Sequence, residues 1–341
     1  MLRKASGAVA AIALVASIIA ANPATAAGVA ITGEGSSFAN TYVKAVEVPF
    51  NAKGGAQANY AKSKSGSGRA NVATGKVQFA FSDATYKASN ETVPSNVVTT
   101  PMFGGPIAVV YNLPTIGQGL QLDAKTLGSI FDGTITAWND AAIKKLNPSK
   151  KLPAKAIQVV FRSSGSGTTF NFTEYLTDNK VNKWTTSSDF AKASGAAAAV
   201  GVSVADSASM VSKVDSVSYT IGYVDLADAE GKDLVYAKLK NPAGKYVAPS
   251  AAAAAPFLAA QTVPTDGQVN INFAKKTTAT AYNLSIFVYG IANVSDAADK
   301  VAGVKSFFTS ILAAKAPLGY VALSGAAKTA AAKQIAKIVK K

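Results

Sequence analysis

The chain has 341 residues, 49% of them hydrophobic, enough to build two domains with substantial cores. It carries 34 Lys and Arg against 19 Asp and Glu, a formal charge of +15 that suits anionic ligands or surfaces. It has no Cys and no His, which excludes disulfides, thiolate nucleophiles, Ser-His-Asp and Cys-His catalysis, and zinc or iron sites built on those ligands.

The N-terminus reads as an export signal over residues 1–27. Arg3 and Lys4 precede an apolar run at 8–20, and Ala24-Thr25-Ala26 supplies small residues for cleavage near Ala26 or Ala27. That run is too short for a membrane span, and no Cys is present to carry a lipid, so the mature chain is expected to be soluble in the periplasm or cell envelope. Loss of Arg3 and Lys4 leaves 32 basic against 19 acidic residues, a charge of +13.

Ala30-Ile31-Thr32 predicts a first strand, Gly33-Glu34-Gly35-Ser36-Ser37-Phe38 a turn, and residues 39–50 a helix. Asn59-Tyr60-Ala61-Lys62 reads as a second strand, followed by a turn at Ser65-Gly66-Ser67-Gly68 and a helix over 69–74. Val77-Gln78-Phe79-Ala80-Phe81 is a third strand, ending in Ser82-Asp83. The stretch Pro101-Met102-Phe103-Gly104-Gly105-Pro106 breaks the pattern as a hinge or crossing strand. Beyond it come a strand at 107–111, a helix at 123–131 and the apolar strand Ile157-Gln158-Val159-Val160-Phe161. Later strands are expected at 219–224 and 282–289. The Ala-rich tracts at 196–199 and 251–255 read as helices or connectors, and 326–341 as a basic surface helix. Strands alternating with helices indicate α/β architecture, in which ligands bind beyond the carboxyl ends of the strands.

The sharpest chemical signal is Arg162-Ser163-Ser164-Gly165-Ser166-Gly167-Thr168-Thr169-Phe170, placed between the strand ending at Phe161 and a helical segment at 171–176. Unpaired N–H groups at a helix start, two glycines that admit a close ligand, hydroxyls on Ser166 and Thr168 and the forked cation of Arg162 all favour a small tetrahedral oxyanion. No Lys follows Gly167, so this is not a Walker A loop. The Gly/Ser run alone would serve equally well as a flexible helix cap; Arg162 tips the reading toward an anion. The Lys residues are scattered and lack interleaved aromatics, so nucleic acid is not an expected partner.

Four separated pieces together resemble one family, the substrate-binding protein of the bacterial high-affinity phosphate ABC transporter. They are Gly33 through Phe38, Ser65-Gly66-Ser67-Gly68, Phe81-Ser82-Asp83-Ala84 and Arg162 through Phe170. Leu127-Gly128-Ser129-Ile130-Phe131-Asp132-Gly133, Ile135-Thr136-Ala137-Trp138-Asn139-Asp140 and Ile221-Gly222-Tyr223-Val224 match its framework. The resemblance implies a two-lobed periplasmic binding protein-like fold (type II), with two crossing strands and a ligand cleft between the lobes. One lobe would combine 28–104 with 283–341, and the other would hold 105–282. Carried over by position, the phosphate donors are Ser37 with the Phe38 amide, Ser65, Arg162, Ser166, the Gly167 amide and Thr168, with Asp83 as acceptor. On residues alone, Asp83 reads as a helix N-cap; its place in the ordered set makes it the acceptor. Phosphate near neutral pH still has a proton to donate and sulfate does not, so a buried carboxylate favours the former.

The chain departs from that pattern at Ser164, where the family usually has an acid, so Arg162 is expected to lack a carboxylate neighbour and leave the cleft more positive. Glu34 and Arg69 are further unexpected charges, Glu34 a candidate to compensate. The expected function is phosphate binding and delivery to the permease and ATPase subunits of an import system, by a monomer without cofactor, metal or catalysis. The alternative is an exported envelope or matrix protein of the same fold that holds anionic polymers.

Overall fold

The computed structural model describes residues 28–196 and 200–341. The expected export signal and three alanines of the 196–199 tract lie outside the described residues. The first half of the chain builds β1 (Ala30–Ser36), α1 (Asn40–Asn51), β2 (Gln57–Ser63), α2 (Ser65–Ala73), β3 (Phe79–Ser82) and the long β4 (Val97–Tyr111). After it come β5 (Gln121–Leu122), α3 (Ala124–Phe131), α4 (Ala141–Leu146), β6 (Gln158–Arg162), α5 (Gly167–Asp178) and α6 (Phe190–Ser194). Next are β7 (Val202–Val204), α7 (Ser207–Ser216), β8 (Thr220–Asp225), α8 (Leu226–Glu230), β9 (Lys238–Lys240), β10 (Tyr246–Val247) and α9 (Ala251–Ala259). The chain closes with β11 (Ser285–Asn293), α10 (Ala298–Ala313), β12 (Val321–Ala322) and α11 (Gly325–Ala336).

The main sheet runs β2-β1-β3-β11-β4-β8-β6-β7, with β12 also on β4; β10-β9-β5 form a small second sheet. β4 joins two lobes. Residues up to Pro106 pair antiparallel with β11, and residues from Ile107 onward pair antiparallel with β8. The handover falls at Pro106, which has no N–H to give to a ladder. Pro101 lies beside the register shift between Val288 and Tyr289, where an irregular ladder tolerates its missing donor. All fifteen residues of β4 are buried, so the 101–106 segment is the interior of a strand that serves both lobes.

Each lobe is filled by aromatics. Tyr42 stacks on Phe103 at 4.0 Å in the first lobe, and Phe172 on Tyr223 at 4.3 Å in the second. The segment after α9 lies along both lobes: Gln334 bonds the Thr265 carbonyl and Lys87 pairs with Asp266 on one side, while Asp178 accepts the Phe273 N–H on the other.

Several boundaries differ from the sequence reading for identifiable reasons. β1 continues to Ser36, so Gly33 and Gly35 lie inside a strand rather than in a turn. A Cβ on Gly33 would sit 2.2 Å from the Phe79 ring, and one on Gly35 2.1 Å from the Phe81 carbonyl, with Gly35 at φ +139°. These glycines permit close approach between neighbours in the sheet. α2 starts at Ser65 and α5 at Gly167, each a few residues earlier than periodicity suggested, because Ser65-Gly66-Ser67-Gly68 and Gly167-Thr168-Thr169-Phe170 form the first helical turns. β11 starts at Ser285; Tyr282 instead spends its hydroxyl on the Ile107 carbonyl.

Candidate anion-binding site

The cleft residues sit at strand ends and helix starts. Ser37 and Phe38 link β1 to α1, Ser65 opens α2, Asp83 follows β3, Arg162 ends β6, and Ser166, Gly167 and Thr168 open α5. α1 and α2 begin without a side-chain cap, which leaves their first N–H groups unclaimed by a capping side chain. Aromatics of the core fix the backbone here. Tyr60 donates to the Ser36 carbonyl at 2.7 Å, Tyr320 to the Phe38 carbonyl at 2.6 Å, and the Arg162 N–H donates to the Tyr223 hydroxyl at 3.2 Å.

Contacts across the cleft bring the two lobes together. The Thr168 hydroxyl donates to Asp83 Oδ2 at 3.4 Å, Asn171 Nδ2 to the Asp83 carbonyl at 2.8 Å, and the Gly66 N–H to the Gly165 carbonyl at 3.2 Å. Further out, Lys62 pairs with Asp206 at 2.9 Å and Thr41 bonds Asp228 at 3.1 Å. Gly167 packs so tightly that a Cβ there would lie 2.3 Å from Ser65 Oγ and 2.8 Å from Asp83 Cβ. Ser37, Phe38, Ser65, Asp83, Arg162, Ser166 and Thr168 are all at most 4% exposed.

Two polar atoms of opposite character lack partners here: Asp83 Oδ1 and Arg162 Nε. Such atoms cost free energy unless something fills them. Burial pushes the Asp83 carboxyl up to about 6, against the lowering pull of Ser36, Arg162, Thr168 and Ser65. Burial lowers Arg162, while Tyr223 and the carboxylates of Asp83, Asp206 and Asp225 push it back up. Arg162 Nη2 donates to the Ala205 carbonyl at 3.0 Å, which aims the fork. Ser166 Oγ accepts the Thr169 N–H at 3.2 Å as an N-cap, which leaves its O–H free to donate elsewhere. Donors from both lobes thus surround one buried carboxylate, an arrangement able to hold a partly protonated oxyanion.

The structure places each of the three unexpected charge features. Arg162 forms no salt bridge among the described residues; Asp83, Asp206 from the start of α7 and Asp225 from β8 act on it only as longer-range attraction. Ser164 is itself exposed. Glu34 does not compensate for it: its carboxylate accepts a 2.7 Å bond from Asn71 on α2. Arg69 is buried away from the anion donors, with two bonds to Glu91 and one each to Ser82 and the Ala84 carbonyl. It holds the β3 end from behind.

Sequence reasoning missed Asn171, Ser207 and Asp225. Asn171 lies one turn after Gly167 on the same helix face, a visible signal. Asp225 ends an apolar strand just as Asp83 follows one. Ser207 had no signal beyond following Asp206. Among the described residues, no group of three or more acids forms a metal cluster, and no helix is long and apolar enough to cross a membrane.

Two α/β lobes sharing long strands, with strand ends and helix starts meeting in the crevice, define a two-lobed binding-protein fold. The chain belongs to the PBP superfamily: a family model described as the PBP superfamily domain matches residues 21–311. The phosphate-binding protein PstS of Pasteurella multocida is 36% identical over 233 residues, 65% of this chain and 63% of that protein. PstS of Haemophilus influenzae is 36% identical over 222 residues, 64% and 65% of the two chains. The chain thus spans somewhat under two thirds of the length of these curated relatives. Among solved structures, a phosphate-binding protein from Stenotrophomonas maltophilia superposes with a TM-score of 0.66 at 20% identity, covering 88% of this chain and 92% of that one. A periplasmic phosphate-binding protein, PfluDING, gives the same TM-score at 21% identity over the same shares.

Proposed function

We propose that the protein binds inorganic phosphate between its lobes and delivers it, without catalysis, to the permease and ATPase subunits of an ABC-type import system. The observation that carries this reading is the buried, partnerless Asp83 Oδ1 amid donors from both lobes, with Arg162 close by. The donors are Ser37 with the Phe38 amide, Ser65, Arg162, Ser166, the Gly167 amide and Thr168; Asp83 accepts the phosphate proton. Sulfate would face the Asp83 carboxylate with no proton to share, at a cost typical of an unpaired buried charge. The names of the PstS relatives support the same ligand. The working division is 28–104 with 283–341 as one lobe and 105–282 as the other, the lobes closing as a hinge. Export through residues 1–27 would place the soluble monomer where such a permease collects its cargo.

Calorimetry of the mature protein with phosphate, sulfate and arsenate tests the reading. Phosphate is expected to bind at least tens of times more tightly than sulfate, and small-angle scattering to show compaction on binding. Equal binding of phosphate and sulfate would refute the role of Asp83, and no binding of any of the three would refute the function.

A further inference from the structure

Ser207, the first residue of α7 in the second lobe, touches a proposed phosphate ligand in the first. Its N–H donates to Ser37 Oγ at 3.2 Å, and the two hydroxyl oxygens lie 3.0 Å apart. Both residues are at most 4% exposed. A hydroxyl has one proton to give and two lone pairs to fill. The Ser207 N–H occupies one lone pair of Ser37, and the Ser207 hydroxyl is placed to fill the other.

We propose that Ser207 is a positioning residue for the anion: by filling both lone pairs of Ser37 on closure, it turns the one Ser37 proton toward the ligand and makes Ser37 a donor only. The proposal rests on the phosphate reading of the cleft. The direction of the Ser207 hydroxyl follows from the anion: once the single Ser37 proton goes to the ligand, only the Ser207 proton is left to bridge the 3.0 Å between the two oxygens. The Asp225 carboxyl competes for the Ser207 proton, since the Ser207 hydroxyl acts on it to favour the charged form; its Oδ1 accepts the Asp228 N–H at 2.9 Å, and its Oδ2 has no hydrogen-bond partner. Burial and the neighbouring Asp228 push Asp225 well above the carboxylate range. Because that shift weakens Asp225 as a competing acceptor, the Ser207 hydroxyl is left to donate to Ser37, which donates to the anion: a chain of two hydroxyls of one polarity. The other charged or titratable groups around this chain are Arg162 from β6, Tyr320 ahead of β12, Asp206 at the α7 cap and Lys62 of β2, paired with Asp206. Because Ser37 and Ser207 belong to different lobes, the orientation is set only when the cleft closes.

A double-mutant cycle with inorganic phosphate tests this by calorimetry on the mature chain. Ser207→Ala is expected to weaken phosphate binding about three- to tenfold, and to add less than about twofold in a Ser37→Ala background. The melting temperature without phosphate should stay unchanged, because the α7 cap is Asp206. A pH readout separates positioning from packing. In Ser207→Ala one Ser37 lone pair is free to accept a proton from the anion, so the loss for phosphate should shrink from pH 8 to pH 6, where the more protonated species gains, while the loss for sulfate stays constant. Additive losses, or equal losses at both pH values, overturn the inference while leaving the phosphate reading intact. A wild-type protein that binds none of phosphate, sulfate and arsenate overturns both.

Discussion

Gly167 opens α5 on the second lobe and faces Ser65 and Asp83, which belong to α2 and the end of β3 on the first. A Cβ at this position would stand 2.3 Å from Ser65 Oγ and 2.8 Å from both Asp83 Cβ and Oδ2. The Ser65 hydroxyl can rotate away. Asp83 Cβ is one bond from the backbone and cannot. Gly167→Ala therefore overpacks the closed cleft, at a cost of about 1–3 kcal/mol, which corresponds to about a 5- to 150-fold loss of phosphate affinity. With the lobes apart the same methyl meets nothing across the cleft, and Ala is the better residue at a helical position, by up to about 1 kcal/mol. The expected signature is a divergence: weaker binding by calorimetry, with a melting temperature in the absence of phosphate that is unchanged or slightly raised. Scattering at a fixed, subsaturating phosphate concentration should show less compaction than the wild type. An affinity within twofold of wild type would refute the tight apposition of α5 on Asp83. A lowered melting temperature without ligand would mean that Gly167 serves the fold rather than closure.

Asp83→Asn should narrow the gap between phosphate and sulfate, because the amide can donate to an unprotonated oxygen; competition titrations give the ratio. The same gap in the wild type should narrow as pH falls through about 6, where Asp83 takes up a proton and becomes a donor itself. Arg162→Ala should weaken phosphate binding about ten- to a hundredfold by loss of a charge-assisted bond; unaltered affinity in calorimetry would reduce the Gly/Ser loop to a helix cap. Glu174, on α5 beside Asp178, is pushed up to about 8 by burial and then by Asp178. A folded value raised from the ordinary carboxylate range gives stability that is fully present near pH 4 and lost as pH rises through 8. Glu174→Gln should thus gain about 1–3 kcal/mol at pH 8 and little at pH 4; equal denaturation midpoints for the two proteins at pH 8 would contradict it.

The α/β class and the positions of most strands were legible in the sequence because apolar runs such as 77–81 and 221–224 are followed by Ser or Asp, and a buried strand must hand its chain to a turn there. The candidate site residues were legible only as an ordered set, since a Gly/Ser run beside a helix start serves equally well as a plain cap. Their boundaries were less so. Ser65-Gly66-Ser67-Gly68 reads as a turn by local preference, yet it forms the first turn of α2, because the packing of α2 on β1 and β3 outweighs glycine's weak helix propensity. Likewise Gly33 and Gly35 look like a turn and are held in a strand by the Phe79 ring and the Phe81 backbone.

What the sequence determined by itself was the chemistry available: no thiol, no imidazole, an excess of cations, and Arg162 beside a hydroxyl-rich helix start. Tertiary structure decided which of those groups act together. Arg69 and Glu34 are charged residues of the same neighbourhood by sequence, yet Glu91 and Asn71 claim them. Asp206 and Asp225 stand 44 and 63 positions after Arg162 in the chain and still act on its charge. The reason is that electrostatic and hydrogen-bond energies depend on distance through space and on burial. Strand order sets both, and β6, β7 and β8 place their carboxyl ends around one cleft only once the sheet has formed.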